Sequence, residues 1–413
     1  MLGKFLSPVQ LFERFKTIED ISILCIGPVT TSTIIASLQV AYEYDFPLFL
    51  IASRNQIDSD ELGGGYLNKW NQQRFVDGVR KLAEEYGFPK AIYFCRDHGG
   101  PWQRDRELTE QLEREKAFNL GISSFLSDLH AGFDILHIDP TKNPFLKDGS
   151  DSTDVIVEDT VSLIMAIEKE RIKHNIPPVS YEVGTEDIKG GLTQPEKFQK
   201  FLYNLKNKLK DNSLPLPDLI VGQTGTLTKL DENYGFFQPD VAKELSVIAK
   251  EQGCLLKEHN ADYLDEETLK MHPVLGISTV NVAPEFGVTE TKALIRLSYQ
   301  TPAGKKFREL LKEKVFSEPR WRKWLPENIK NISDRDFKSD PALCYKVLVS
   351  CGHYYIERED VIETKEKMFQ NISKNGFDPE KEILGSIKQS ILRYVHAFNM
   401  SGLNKKLMEV KDA

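Results

Sequence analysis

Short apolar runs return along the chain at intervals filled by amphipathic stretches. The runs are ISILCIG (21–27), PLFLIAS (47–53), AIYFCRD (91–97), ILHID (135–139), PVSYEVG (178–184), DLIVGQ (218–223), CLLKEHN (254–260) and STVNVAP (278–284). Each is too short for a buried helix and is nearly continuous rather than alternating, which predicts strands covered on both faces. Between them, segments such as STIIASLQVAYEY and DTVSLIMAIEKERIKH carry apolar residues at helical spacing. Several such segments stop at a glycine before the next strand, as in EEYGFP and KEQGC, which is ordinary helix C-capping.

Eight strand–helix cycles predict an α/β fold, a (β/α)8 TIM barrel. An open doubly wound sheet is disfavoured, because the first strand is followed by GPVTTST and not by a G-x-G-x-x-G turn. Beyond about residue 300 the cycle stops and only helical patterns remain. The expected organisation is therefore a barrel over 1–300 and a helical extension packed on it over 301–413, since no Gly/Ser/Pro-rich linker separates the two.

Composition narrows the class. The net charge is −8, the pI is about 5.7, and no Lys/Arg cluster interleaved with aromatics offers a nucleic-acid face. No window approaches the ~20 apolar residues of a membrane span, and the start shows no signal-peptide pattern. Five cysteines without zinc-site spacing read as buried free thiols in a reducing cytoplasm.

The chemistry gathers at the strand ends, which form the active face of such a barrel. Asp97-His98 closes the third strand, His137 and Asp139 lie on the fourth, and Glu182 and then Glu186-Asp187 on the fifth. Gln223 ends the sixth, Glu258-His259-Asn260 the seventh, and Asn281 lies on the eighth. Carboxylates, imidazoles and amides on so many strand ends require a polar cavity, because burying them dry costs several kcal/mol each. Two histidines and a carboxylate with an open position suit a divalent zinc or manganese ion. His98, His259 and Glu186 are the expected ligands, with Asp187 in reserve. His137, one layer deeper, is expected to be an interior hydrogen-bonding residue. Asp97 is the expected general base, with Glu182 and Asp139 next in line, and Gly99 and Gly100 let the backbone approach a ligand. Asn55, Gln56, Lys142, Gln223 and Asn281 are expected to bind substrate. An anion such as phosphate is expected at the helix starts in 27–33 and 284–289 or at Lys189-Gly190-Gly191.

The ordered motifs IASRNQIDSDELGGGY, RDHGGPWQ, GFDILHIDPT, YEVGTEDIKGG, FQPDVAKEL and KEHNADYLDEETL, continuing weakly into EPRWRKW, carry a resemblance. The chain resembles the non-catalytic subunit of class II tagatose-bisphosphate aldolase, a group that also contains ketose and ketose-phosphate 4-epimerases. It is also similar to the catalytic class II aldolases, whose Asp-His-Gly strand end supplies base and metal ligand. That resemblance implies Asp97 as base and His98 and His259 as ligands, with acids at Glu186-Asp187 where the aldolases carry histidine. It implies a metal-dependent epimerase acting by retro-aldol chemistry on a tagatose- or fructose-type sugar or sugar phosphate, or alternatively a stabilising subunit. The C-terminal helices then offer an interface to a second copy or to a catalytic aldolase subunit. One departure stands out: the family reads Asp-His-Leu-Gly-Pro with a spacer before Trp-Gln, whereas here 97–103 runs DHGGPWQ without one, so the loop over the substrate is altered.

Overall fold

In the computed structural model, which describes residues 5–146, 152–184 and 192–410, eight parallel strands close into a barrel. They are β1 (Ile23–Ile26), β2 (Leu48–Ser53), β3 (Ile92–Gly99), β4 (Ile135–Ile138), β5 (Ser180–Gly184), β6 (Leu219–Val221), β7 (Leu255–Glu258) and β8 (Ile277–Val282). Closure is direct: β8 pairs with β1, Cys25 lying opposite Asn281 and Ile26 opposite Val282. Six of the strands fall inside one of the eight apolar runs, while β3 runs on to Gly99 and β8 starts one residue early at Ile277; the runs are apolar because the strands are covered on both faces. Between β6 and β7 the chain makes a small antiparallel hairpin (Thr228–Lys229 with Glu232–Asn233), an insertion that hydrophobic periodicity does not announce.

The barrel interior is not purely apolar. Lys257 Nζ sits 2.6 Å from Glu182 Oε2 and both side chains are fully buried. Burial alone would raise the Glu182 carboxyl, but Lys257, with His137 and His259, holds it well below the usual carboxylate range. The thiols of Cys25 and Cys95 share this layer, and burial pushes Cys25 up to about 11. All five cysteines are free.

After the last barrel helix, Pro284–Ser298, the chain continues as helices only. Helix Pro379–Ala397 packs against Thr31–Tyr44 and Pro284–Ser298, and Pro341–Cys351 also packs against Pro284–Ser298. Polar bonds fasten the extension to the barrel. Glu285 accepts from Tyr394 Oη, Ser390 Oγ and Arg393, and below the barrel Ser22 N–H donates to Phe398 O at 3.1 Å. Among the described residues no helix is long and apolar enough to cross a membrane.

Arg96 holds the outer side of β3. Its guanidinium grips Asp128 through two hydrogen bonds of 2.8 and 2.5 Å and donates to the carbonyls of Ala52 and Ile57, all out of contact with water. Breaking such a pair strands a buried charge, which costs about 3–5 kcal/mol. Arg96→Ala is expected to lower the urea-unfolding free energy by about that amount; a midpoint within error of wild type would show that the pair contributes nothing net.

Candidate metal and sugar site

The strand that carries Asp97 and His98 is one residue too long for its neighbour. Arg96 lies opposite Leu136 and Gly99 opposite Ile138, so Asp97 and His98 together face His137 alone. That is a β-bulge, the device by which a strand re-aims a side chain. His98 takes up the excess at φ +44°, a left-handed conformation that costs a non-glycine residue energy. Without the bulge, consecutive side chains would point to opposite faces. With it, Asp97 and His98 both line one cavity at the C-terminal mouth, while Arg96 points outward to Asp128. Gly99 is required for packing: a Cβ there would lie 2.4 Å from the Phe125 ring.

Imidazoles and carboxylates stack beneath that mouth. His98 Nδ1 lies 2.6 Å from Asp139 Oδ2, and its Nε2 is 3.9 Å from Asp97 Oδ1. His259 Nε2 is 4.0 Å from the same Asp97 oxygen and 3.3 Å from Glu182 Oε1. His137 Nδ1 lies 3.2 Å from Glu182 Oε1 and 3.3 Å from the backbone N of His98. Burial keeps His137 below the ordinary histidine range, against the pull of Glu182 and Asp139. Burial would also raise Asp139, but its hydrogen bond to His98 and the neighbouring cations hold it well below the carboxylate range. Asn281 Nδ2 donates to Asp97 Oδ1 at 3.0 Å.

The structure thus brings Asp97, His98, His259, Asn55, Gln56, Lys142 and Asn281 to one cavity of about 250 Å³. Asp139 and Glu182 stand behind the lining, bonded to His98 and His259. Gln223 is not among the lining residues; its carbonyl accepts from Thr193 N–H. Glu186, Asp187 and Lys189-Gly190-Gly191 lie outside the described residues. Four buried polar atoms of the lining residues, Gln103 Oε1, Asn281 Oδ1, Trp324 Nε1 and His353 Nδ1, have no hydrogen-bond partner among the described residues. Buried polar groups are normally bonded, so their grouping around one cavity marks it as a seat for a polar ligand.

The sequence reading passed over Lys257, Arg320, Lys323 and Trp324. A lysine inside the apolar run CLLKEHN was a usable signal for the first. The other three lie in EPRWRKW, more than 200 positions from Asp97, and the fold alone brings them to the cavity wall.

Two expected anion seats are filled by the chain's own carboxylates. At the start of helix Thr31–Tyr44, Thr31 N–H donates to Glu357 Oε1 at 2.5 Å and Thr30 Oγ1 to Glu290 Oε2 at 2.5 Å. At the start of Pro284–Ser298, Asp262 Oδ1 accepts from the backbone N–H of Ala283 and Glu285 at 3.1 and 2.9 Å. Helix N-termini do attract negative charge, but here side chains supply it, and no phosphate is needed.

The donor set fits a divalent ion. Asp97, His98 and His259 each offer a ligand atom, and those atoms lie within 4.8 Å of one another. The Asp139–His98 hydrogen bond is the carboxylate–histidine arrangement that fixes the ring of a metal ligand. Asp139→Asn is therefore expected to weaken zinc or manganese binding ~10–100-fold, measured by chelator competition. Unchanged affinity would reduce Asp139 to a cap for the Thr141 N–H and hydroxyl, which it also binds.

Residues 9–386 match the family model described as D-tagatose-1,6-bisphosphate aldolase subunit GatZ/KbaZ-like. No curated relative matches the chain. Among solved structures, a probable tagatose 6 phosphate kinase from Sinorhizobium meliloti 1021 is 18% identical, covers 91% of this chain and 100% of its own, and superposes with a TM-score of 0.73. The fructuronate-tagaturonate epimerase UxaE from Cohnella laeviribosi is 11% identical over 93% of this chain and 83% of its own, with a TM-score of 0.57. The fructose-bisphosphate aldolase of Campylobacter jejuni is 12% identical over 96% of each chain, with a TM-score of 0.56. At these identities the likeness is one of fold.

Proposed function

The chain belongs to the D-tagatose-1,6-bisphosphate aldolase subunit GatZ/KbaZ-like family, and from that premise we propose that it is a metal-dependent 4-epimerase of ketoses or ketose phosphates. The observation that carries the reading is the bulge that turns Asp97 and His98 into one cavity beside His259. His98 and His259 would hold the ion, with Glu186 as the proposed third ligand. Zinc or manganese bound there supplies Lewis-acid polarisation of a substrate carbonyl.

The proton on a sugar's C4 is not acidic, so inversion there proceeds by breaking and remaking a bond. Asp97 takes the proton of the C4 hydroxyl. The C3–C4 electron pair moves towards the C2 carbonyl, and C4 becomes an aldehyde. Rotation of the aldehyde and re-addition reverse the configuration, and Asp97 returns its proton to the new C4 oxygen. Asn281 holds the Asp97 carboxylate in place, and Glu182, anchored by Lys257, holds the His259 ring. Release of the fragments before re-addition would make the same site an aldolase.

Incubating the pure chain with manganese or zinc and a panel of ketoses, ketose phosphates and keturonates should yield C4 epimers visible by NMR. The family description as an aldolase subunit favours one other reading, a stabilising partner of a class II catalytic subunit. It would be preferred if the chain alone converts nothing in the panel yet raises the activity of such a subunit.

A further inference from the structure

The wall of the cavity contributed by the C-terminal extension carries an excess of positive charge. Segment Pro319–Trp324 is a 3₁₀ turn, in which side chains three apart eclipse, so Arg320 and Lys323 share a face and both line the cavity. Trp321, one residue on, stacks on Phe337 with ring centroids 4.1 Å apart, and Arg322 bonds Ile332 O and Asp334. These contacts fix which face of the turn is inward. Lys142, which follows β4 on the loop that carries Asp139, lines the same cavity.

Asp139 feels the charge of Lys142 but is engaged by His98 and Thr141; the carboxylate that meets Lys323 is Asp105, and it too is engaged. Its Oδ2 lies 3.1 Å from Lys323 Nζ, and its Oδ1 accepts from Asn55 Nδ2 at 3.4 Å. Burial would raise Asp105, but Lys323, Arg320 and Lys142 together hold it below the usual range. Among the described residues, no carboxylate pairs with Arg320 or Lys142. Arg320 lies at 5.5 Å from the Tyr354 ring and keeps its guanidinium donors. Trp324 Nε1, a donor with no acceptor capacity, is buried without a partner. Donors without acceptors on one wall ask for an oxyanion. The helix starts that usually hold one are occupied by Glu357 and Asp262.

We propose that Arg320 and Lys142 form the seat for an anionic group at the end of the substrate remote from the bond that breaks, a phosphate ester or a carboxylate, and that the C-terminal extension thereby sets substrate class. This rests on the reading of the cavity as a ketose site. His98 and His259 lie at the strand ends, whereas Arg320 belongs to the extension, so a sugar with a charged end is oriented by both at once.

The test is calorimetric titration of the manganese-loaded full chain with inorganic phosphate, D-tagatose, D-tagatose 6-phosphate and D-tagaturonate, for wild type, Arg320→Met and Arg320→Lys. The expected result is that at least one anionic sugar binds more tightly than D-tagatose and that Arg320→Met removes this preference, by roughly 10–100-fold, the range for losing a charge-assisted hydrogen bond. Affinity for D-tagatose should hold in that variant. Arg320→Lys, which keeps the charge without the fork, should fall between. The phosphate and uronate arms identify which anion the seat prefers. If D-tagatose binds and neither anionic sugar outbinds it, if Arg320→Met keeps the preference with an unchanged melting temperature, or if neither sugars nor inorganic phosphate bind, the seat does not exist. If no sugar binds but inorganic phosphate does, and loses affinity in Arg320→Met, the seat stands and the epimerase reading falls.

Discussion

Asp97→Asn is expected to keep its metal and lose turnover by ~10²–10⁴-fold, the usual effect of removing a general base. The amide is almost isosteric with the carboxylate, so the bulge, the His98 conformation and the cavity volume should survive. What changes is proton affinity: an amide oxygen cannot take the C4 hydroxyl proton at neutral pH, and the C3–C4 bond then has no route to break. The neighbouring Asn281 amide, which donates to Asp97 Oδ1 at 3.0 Å, can still donate to the asparagine oxygen, so the side chain keeps its place. Metal content and turnover must be measured on the same sample. Lost metal would make Asp97 a ligand, in keeping with its position about 4 Å from both imidazoles. Retained metal with near wild-type turnover would move the base elsewhere; Glu182 is a poor substitute, because Lys257 already holds it.

His259→Ala is expected to abolish stoichiometric zinc or manganese, and activity with it. The imidazole is one of the two nitrogen donors facing Asp97, and a carboxylate with one histidine binds these ions far more weakly. Stability should suffer less. The ring sits at the mouth and accounts for one contact to Glu182, while Lys257 continues to neutralise that carboxylate. Losing one buried partner costs about 1–3 kcal/mol, well short of unfolding a barrel of this size. The measurements are elemental analysis after dialysis and the thermal midpoint. A variant that keeps a full equivalent of metal would sink the assignment; one that fails to fold would show that the Glu182 cluster is structural before it is functional, and His259→Gln would then serve as the milder substitution.

Much of this was legible in the chain. The eight strands announce themselves because each is largely buried on both faces and so reads as a nearly continuous apolar run. Polar residues at the ends of those runs mark the mouth, which is why Asp97, His98, His259 and Asn281 could be named without coordinates. The bulge could not be read. Nothing in RDHGGPWQ says that Asp97 and His98 share a face, since that depends on pairing with Leu136 and Ile138. Two of the expected anion seats are taken for a related reason: a helix start looks the same in sequence whether its amides await a ligand or meet Glu357 or Asp262 from a distant segment. Arg320 and Trp324 were visible as residues but had no address until the extension was seen to form the cavity wall.

The way the extension is fastened has a consequence for synthesis. β1 leaves the ribosome well before its pairing partner β8, which ends at Val282. The backbone N–H of Leu24 then waits for the sulfur of Met400, 3.3 Å away in the finished protein. At the ~5–20 residues per second of translation, the stretch from Val282 to Met400 takes on the order of 10 s to emerge. During that interval a barrel that has closed still lacks the helix covering its base, and until Trp324 and Tyr354 arrive it lacks one wall of the cavity. Until the extension is complete the nascent chain therefore exposes apolar surface at the base of the barrel, the kind of surface on which incompletely folded chains aggregate.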